Sequence, residues 1–134
     1  TIALLGLTFK PNTDDMREAP SLTLVPDLLA RGARVRAYDP AGMKHAKLMM
    51  PDIDYCTDAY DAAEGAEAIV ILTEWHEFRG LDLRRLASMS PRPAIVDFRN
   101  VYKLPEMEEA GLAYHSIGRA PVASRPVALQ AAAE

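Results

Sequence analysis

Cysteine is almost missing from this chain: Cys56 is the only one in 134 residues. No intrachain disulfide can form, so the fold must stand on its apolar core, and a reducing cytoplasm is the expected location. Glycine is sparse as well, at seven residues. None of these supplies the spaced triplet that cradles a dinucleotide pyrophosphate after a first strand, and Gly6 stands alone where three would be needed. A surplus of positive charge is also lacking. Fifteen Lys and Arg against 19 Asp and Glu leave a net charge of −4 and a pI near 5.4, the wrong balance for a surface that grips nucleic acid or membrane. No apolar run nears the roughly 20 residues of a membrane span. His45, His76 and His115 are scattered without metal-ligand spacing, and no metal is expected. Cys56 has no basic neighbour that would make it a nucleophile and reads as a small buried residue.

What is present is an apolar half, 49% of the residues, enough for one substantial core and a single domain. The chain opens on Thr at the threshold of a strand, with neither a start Met nor a signal-peptide pattern, so a piece of a longer protein is expected. Ile2, Ala3, Leu4 and Leu5 form a continuous apolar run that reads as a strand buried on both faces. Leu22, Leu24, Val25, Leu28 and Leu29 follow at helical period, interrupted by Pro26 and closed by Gly32 in the place of a left-handed cap. A second strand at Val35, Ala37 and Tyr38 ends at Asp39 and Pro40. Next come a short helix from Met43 to Met49, a weak strand around Ile53 to Cys56, and a short helix through Tyr60, Ala63 and Ala66.

The clearest strand, Ala68 to Leu72, ends at Thr73, Glu74 and Trp75. A helix around Leu81 to Ala87 and a buried strand from Ala94 to Asp97 follow, the strand exiting through Phe98, Arg99 and Asn100. A helix around Pro105 to Ala110 and a last strand from Ala113 to Ile117 complete the pattern. Strand and helix alternating with short connections predict an α/β fold with a doubly wound, mostly parallel, three-layer sheet, Rossmann-like in outline. The domain is expected over residues 1–119, and the Pro- and Ala-rich residues 120–134 read as a loose tail.

The chemistry concentrates in GLTFKPNTDDMRE, residues 6 to 18, a strand-to-helix loop carrying one Lys, one Arg and several acids. In a parallel sheet, residues just after the first strand and just after the Ala94 to Asp97 strand leave the same edge, where ligands of open α/β sheets bind. Lys10 and Arg99 are therefore expected to converge, one as a point charge and one as a planar fork, on an anion such as a diphosphate. Two other readings stand beside this one. Lys10 and Arg17 are equally well surface cations balanced by Asp14, Asp15 and Glu18. Asp14 and Asp15 suit the Mg²⁺ site of a phosphoacceptor receiver domain less well, because the middle strand ends without an acceptor Asp and Arg99 stands where such a domain wants Lys.

Taken together, GLTFKPNTDDMREAPSL, VRAYDPAGM, ILTEW, VDFRNVY and YHSIGR resemble, in order and over about residues 2–119, the C-terminal UDP-binding domain of the UDP-glucose 6-dehydrogenases, within the UDP-glucose/GDP-mannose dehydrogenase family. The resemblance implies an enzyme in which an N-terminal domain binds NAD, a central helix mediates homo-oligomer formation and this domain grips UDP-glucose, oxidised to UDP-glucuronate with two NAD reduced. By the same resemblance Phe9, Lys10 and Arg99 contact the substrate, and Arg17 reaches across the cleft to NAD. Phe98 replaces the family's usual Gly, which would restrict the backbone there. No catalytic residue is expected in this chain: the family's nucleophilic Cys lies in a Gly-rich segment upstream, and Cys56 is not that residue. Alternatives are a dehydrogenase of GDP-mannose or UDP-N-acetylmannosamine, or a stand-alone UDP-sugar-binding module.

Overall fold

The computed structural model describes residues 1–126. Its elements run β1 (Ile2–Leu5), α1 (Ser21–Ala30), β2 (Val35–Tyr38), α2 (Met43–Met49), β3 (Asp54–Tyr55), α3 (Ala59–Ala63), β4 (Ala68–Ile71), α4 (His76–Arg79), α5 (Leu83–Ala87), β5 (Ala94–Asp97), α6 (Leu104–Ala110) and β6 (Tyr114–Ser116). The six strands make one parallel sheet in the order β3-β2-β1-β4-β5-β6. The two most apolar strands are the central pair, as burial on both faces requires.

Alternation along each strand divides the core in two. Ala3 and Leu5 of β1 and Ile69 and Ile71 of β4 face Ala62 and Ala63 of α3, Phe78 of α4, Leu86 of α5 and Met107 of α6. Leu4 and Val70 face the other way, onto Val25 of α1 and Ala46 of α2. Helix α1 runs through Pro26, whose missing N–H takes the helical partner from the Leu22 carbonyl. It ends in the expected left-handed cap: Gly32 has φ +90°, its N–H donates to the Leu29 carbonyl and the Ala33 N–H donates to the Leu28 carbonyl, both at 3.0 Å.

Two stretches differ from the sequence expectation. The helix expected around Leu81 to Ala87 forms as α5, which Asp82 caps by accepting the Arg85 N–H at 3.1 Å, but an unexpected short helix, α4, precedes it. Part of the stretch expected as a loose tail is docked. Val122 bridges Tyr114 antiparallel, with both backbone bonds at 2.9 Å, and the Arg125 N–H donates to the Gly111 carbonyl at 3.1 Å. The physical reason is that β6 is an edge strand, and its unpaired backbone groups take whatever chain follows. Residues 127–134 of that tail lie outside the described residues.

Candidate functional site

Strand order reverses between β1 and β4, so the crevice beyond their carboxyl ends is the switch point where open α/β sheets take ligands. The loop leaving β1 borders it and is clamped from several sides. Gly6 has φ +92°, and a Cβ there would sit 2.5 Å from the Thr73 Cβ, so only glycine lets the chain leave against the end of β4. Thr8 is held at every polar group. Its N–H donates to Asp39 Oδ2 at 3.1 Å, its carbonyl accepts the Thr73 hydroxyl at 2.8 Å, and its own hydroxyl lies 3.0 Å from the Lys10 carbonyl. The loop is closed from its far end by the Phe9 N–H on the Asp15 carbonyl at 2.9 Å. Phe9 emerges 45% exposed, and Lys10 is exposed beside it.

The exit of β5 is braced by another buried acid. Asp97 is fully buried; Oδ1 accepts the Arg99 N–H at 2.9 Å, and Oδ2 accepts the Val101 N–H at 2.7 Å and the Tyr114 hydroxyl at 2.6 Å. Asn100, at φ 52°, ties the loop to the end of β6 by a pair of bonds with the Ile117 backbone, at 2.9 and 3.0 Å. Arg119 completes the brace, donating to the Tyr114 hydroxyl at 2.7 Å and to the Tyr102 carbonyl at 2.8 Å. Phe98 carries no left-handed backbone; that conformation belongs to Asn100, so a bulky residue fits here without strain.

From this held loop, Arg99 Nε donates to the Leu72 carbonyl at 3.0 Å and lies 3.6 Å from Glu74 Oε2. The guanidinium thus leans over the end of β4, toward the loop of β1. With strands about 4.8 Å apart and β4 between them, the exits of β1 and β5, from which the loops of Lys10 and Arg99 depart, stand roughly 10 Å apart. Both sit at the same sheet edge.

Arg17 is brought elsewhere. It forms a fork on Asp15 within its own loop, Nη2 to Oδ2 at 2.8 Å and Nε to Oδ1 at 3.0 Å, with its side chain 88% exposed. That side-chain bond, then the Arg17 backbone N–H, hold the Asp15 carboxyl down at about 2. Asp14 lies 3.8 Å from His45 Nδ1. A groove of about 560 Å³ lies between α3 and α5, lined by Tyr60, Asp61, Arg85 and Met89 among others. None of Phe9, Lys10, Arg17 or Arg99 lines it, and the switch-point edge is the better candidate because the held loops that carry Lys10 and Arg99 border it.

Sequence reasoning found the exposed residues of this edge and missed what holds them: Thr8, Asp39, Asp97, Asn100 and Arg119. Asp39 reads as the close of the second strand and Asp97 as the last residue of a buried one, and the sequence carries no sign that their carboxylates turn inward.

Residues 3–104 match the model of the UDP-glucose/GDP-mannose dehydrogenase family, UDP binding domain. The chain is 52% identical over 118 residues to a UDP-glucose 6-dehydrogenase of Rhizobium meliloti, covering 88% of this chain and 27% of the relative. It is 45% identical over 123 residues to one from Bacillus subtilis, covering 91% of this chain and again 27% of the relative. The chain therefore spans about a quarter of the length of these relatives. Among solved structures, a UDP-glucose dehydrogenase of Pyrobaculum islandicum superposes with a TM-score of 0.71 at 33% identity, over 89% of this chain and 25% of that one. Motifs, strand order and likeness agree: the chain belongs to the UDP-glucose/GDP-mannose dehydrogenase family and corresponds to its UDP-binding domain.

Proposed function

We propose that this chain is the nucleotide-sugar grip of an NAD-dependent UDP-glucose 6-dehydrogenase of the cytoplasm, an enzyme that oxidises UDP-glucose to UDP-glucuronate with reduction of two NAD. Phe9, Lys10 and Arg99 hold the substrate; Arg17 faces the cofactor. The observation that carries this reading is the lean of Arg99 over the end of β4 toward the loop of Lys10. Two cations with fixed backbones then face one crevice, and charge-assisted bonds to a diphosphate are the strongest contacts such groups make. The exposed ring of Phe9 beside them offers an apolar face to the nucleotide.

NAD does not fit this chain as a dinucleotide fold would hold it. The β1 exit has a single glycine packed against Thr73, and the acid at the tip of β2, Asp39, is fully buried with both oxygens bonded. NAD therefore belongs to another domain of a longer protein, which also supplies the reacting groups. Two measurements test the reading. Calorimetric titration with UDP is expected to show binding, with GDP much weaker. The purified chain with UDP-glucose and NAD is expected to yield no NADH, and NADH formation would overturn the assignment of a purely binding role.

A further inference from the structure

In a doubly wound dinucleotide domain, the acid at the tip of the second strand takes a ribose hydroxyl. Asp39 stands at that tip, yet its carboxylate is fully buried and saturated. Oδ1 accepts the Ala41 N–H at 2.9 Å and the Gly42 N–H at 2.7 Å. Oδ2 accepts the Leu7 N–H at 2.7 Å and the Thr8 N–H at 3.1 Å, with the Thr8 hydroxyl at 3.2 Å and the Trp75 indole N–H at 3.3 Å. A carboxylate has about four lone-pair directions, so none is left for a ligand. The bonded groups come from the exits of β1, β2 and β4, and those from β1 are the residues immediately before Phe9 and Lys10.

We infer that Asp39 is the positioning residue of the nucleotide-sugar site: through Thr8 it fixes the backbone from which Phe9 and Lys10 project. Resting on the function proposed above, this assigns the acid at the tip of β2 to loop placement, not ribose recognition. The Thr8 hydroxyl is the link that continues the chain of contacts, since it lies within hydrogen-bond distance of Asp39, Trp75 Nε1 and the Lys10 carbonyl.

The test uses the whole 134-residue chain. Asp39→Asn turns an amide NH₂ toward backbone donors and is expected to weaken the whole fold, so Thr8→Val, which keeps the shape and removes only the hydroxyl, carries the comparison. Amide hydrogen exchange is expected to quicken about 5-fold or more at Phe9 and Lys10 in Thr8→Val, with the β4 amides unchanged. Affinity for UDP is expected to fall by a similar factor of about 5, and Thr8→Ser is expected to restore both. In the Lys10→Ala background the same Thr8→Val change is expected to cost less than in the parent, because one of the two groups it positions is gone. Unchanged exchange at Phe9 and Lys10, or an equal loss of affinity in both backgrounds, overturns the inference. Should the parent chain fail to bind UDP, the proposed function falls, and the exchange measurement still decides whether Asp39 holds the Phe9 and Lys10 backbone through the Thr8 hydroxyl.

Discussion

At the residue scale, the site is a set of exposed side chains made usable by buried ones. Lys10 and Arg99 are readable from sequence because a cation just past an apolar run has few places to go. The bracing residues are not, because Asp39 and Asp97 carry the same letter whether they end a strand in water or bury a carboxylate among backbone N–H groups. The Asp97 brace has a direct consequence. Removing the hydroxyl in Tyr114→Phe leaves Asp97 Oδ2 and Arg119 each short of a partner, and chemical denaturation is expected to show a loss of about 1–2 kcal/mol. Arg17 makes a sharper prediction. Its fork holds the Asp15 carboxyl at about 2, below the ordinary carboxylate value, so an NMR titration should find Asp15 still ionised at pH 3. In Arg17→Ala its midpoint should rise toward the ordinary value, short of it by the backbone N–H bond that remains. A midpoint unmoved by the substitution would mean that the fork seen between these exposed side chains does not persist in water.

At the element scale, the strands were legible because buried parallel strands leave continuous apolar runs, and β1, β2 and β5 fall where the pattern puts them. Helix α4 was not legible: four residues carrying one buried side chain, Phe78, have no period to read. Nor was the docking of Val122 on β6, since pairing to an edge strand is decided by geometry far along the chain. Glycine positions separate conformation from crowding. Gly6 and Gly32 have nearly equal φ, +92° and +90°, but a Cβ at Gly6 meets Thr73 at 2.5 Å and one at Gly32 meets nothing within 4 Å. Gly32→Ala is expected to cost about 1 kcal/mol from backbone strain alone. Gly6→Ala adds overpacking on top and is expected to cost about 3 kcal/mol or more, read by urea denaturation. Equal losses would contradict the close approach of β1 to β4.

At the scale of the whole molecule, the sheet is a platform whose carboxyl edge carries the proposed site and whose two-sided core carries the stability. Burial pushes up the hydroxyls of Tyr38, Tyr55 and Tyr114 to about 12, helped at Tyr38 by Glu77 and at Tyr114 by its bond to Asp97. Tyr102 moves the same way for the same first reason. The folded state therefore keeps protons that the unfolded chain releases near pH 10, so this contribution is intact below pH 10 and is lost as pH rises through about 12. Melting temperature is expected to fall over that window, with ionisation of these four tyrosines delayed until unfolding. Ring resonances of Tyr38, Tyr55, Tyr102 or Tyr114 that titrate near pH 10 in the folded chain would contradict the effect of their burial. The central claim, that Lys10 and Arg99 hold one nucleotide diphosphate across the switch point, rests most directly on calorimetric titration of UDP into the parent chain, Lys10→Ala and Arg99→Ala. Binding by the parent and a loss of about 10-fold or more in each variant are expected, with Lys10→Ala as stable as the parent; binding that is unchanged in both variants would contradict the claim.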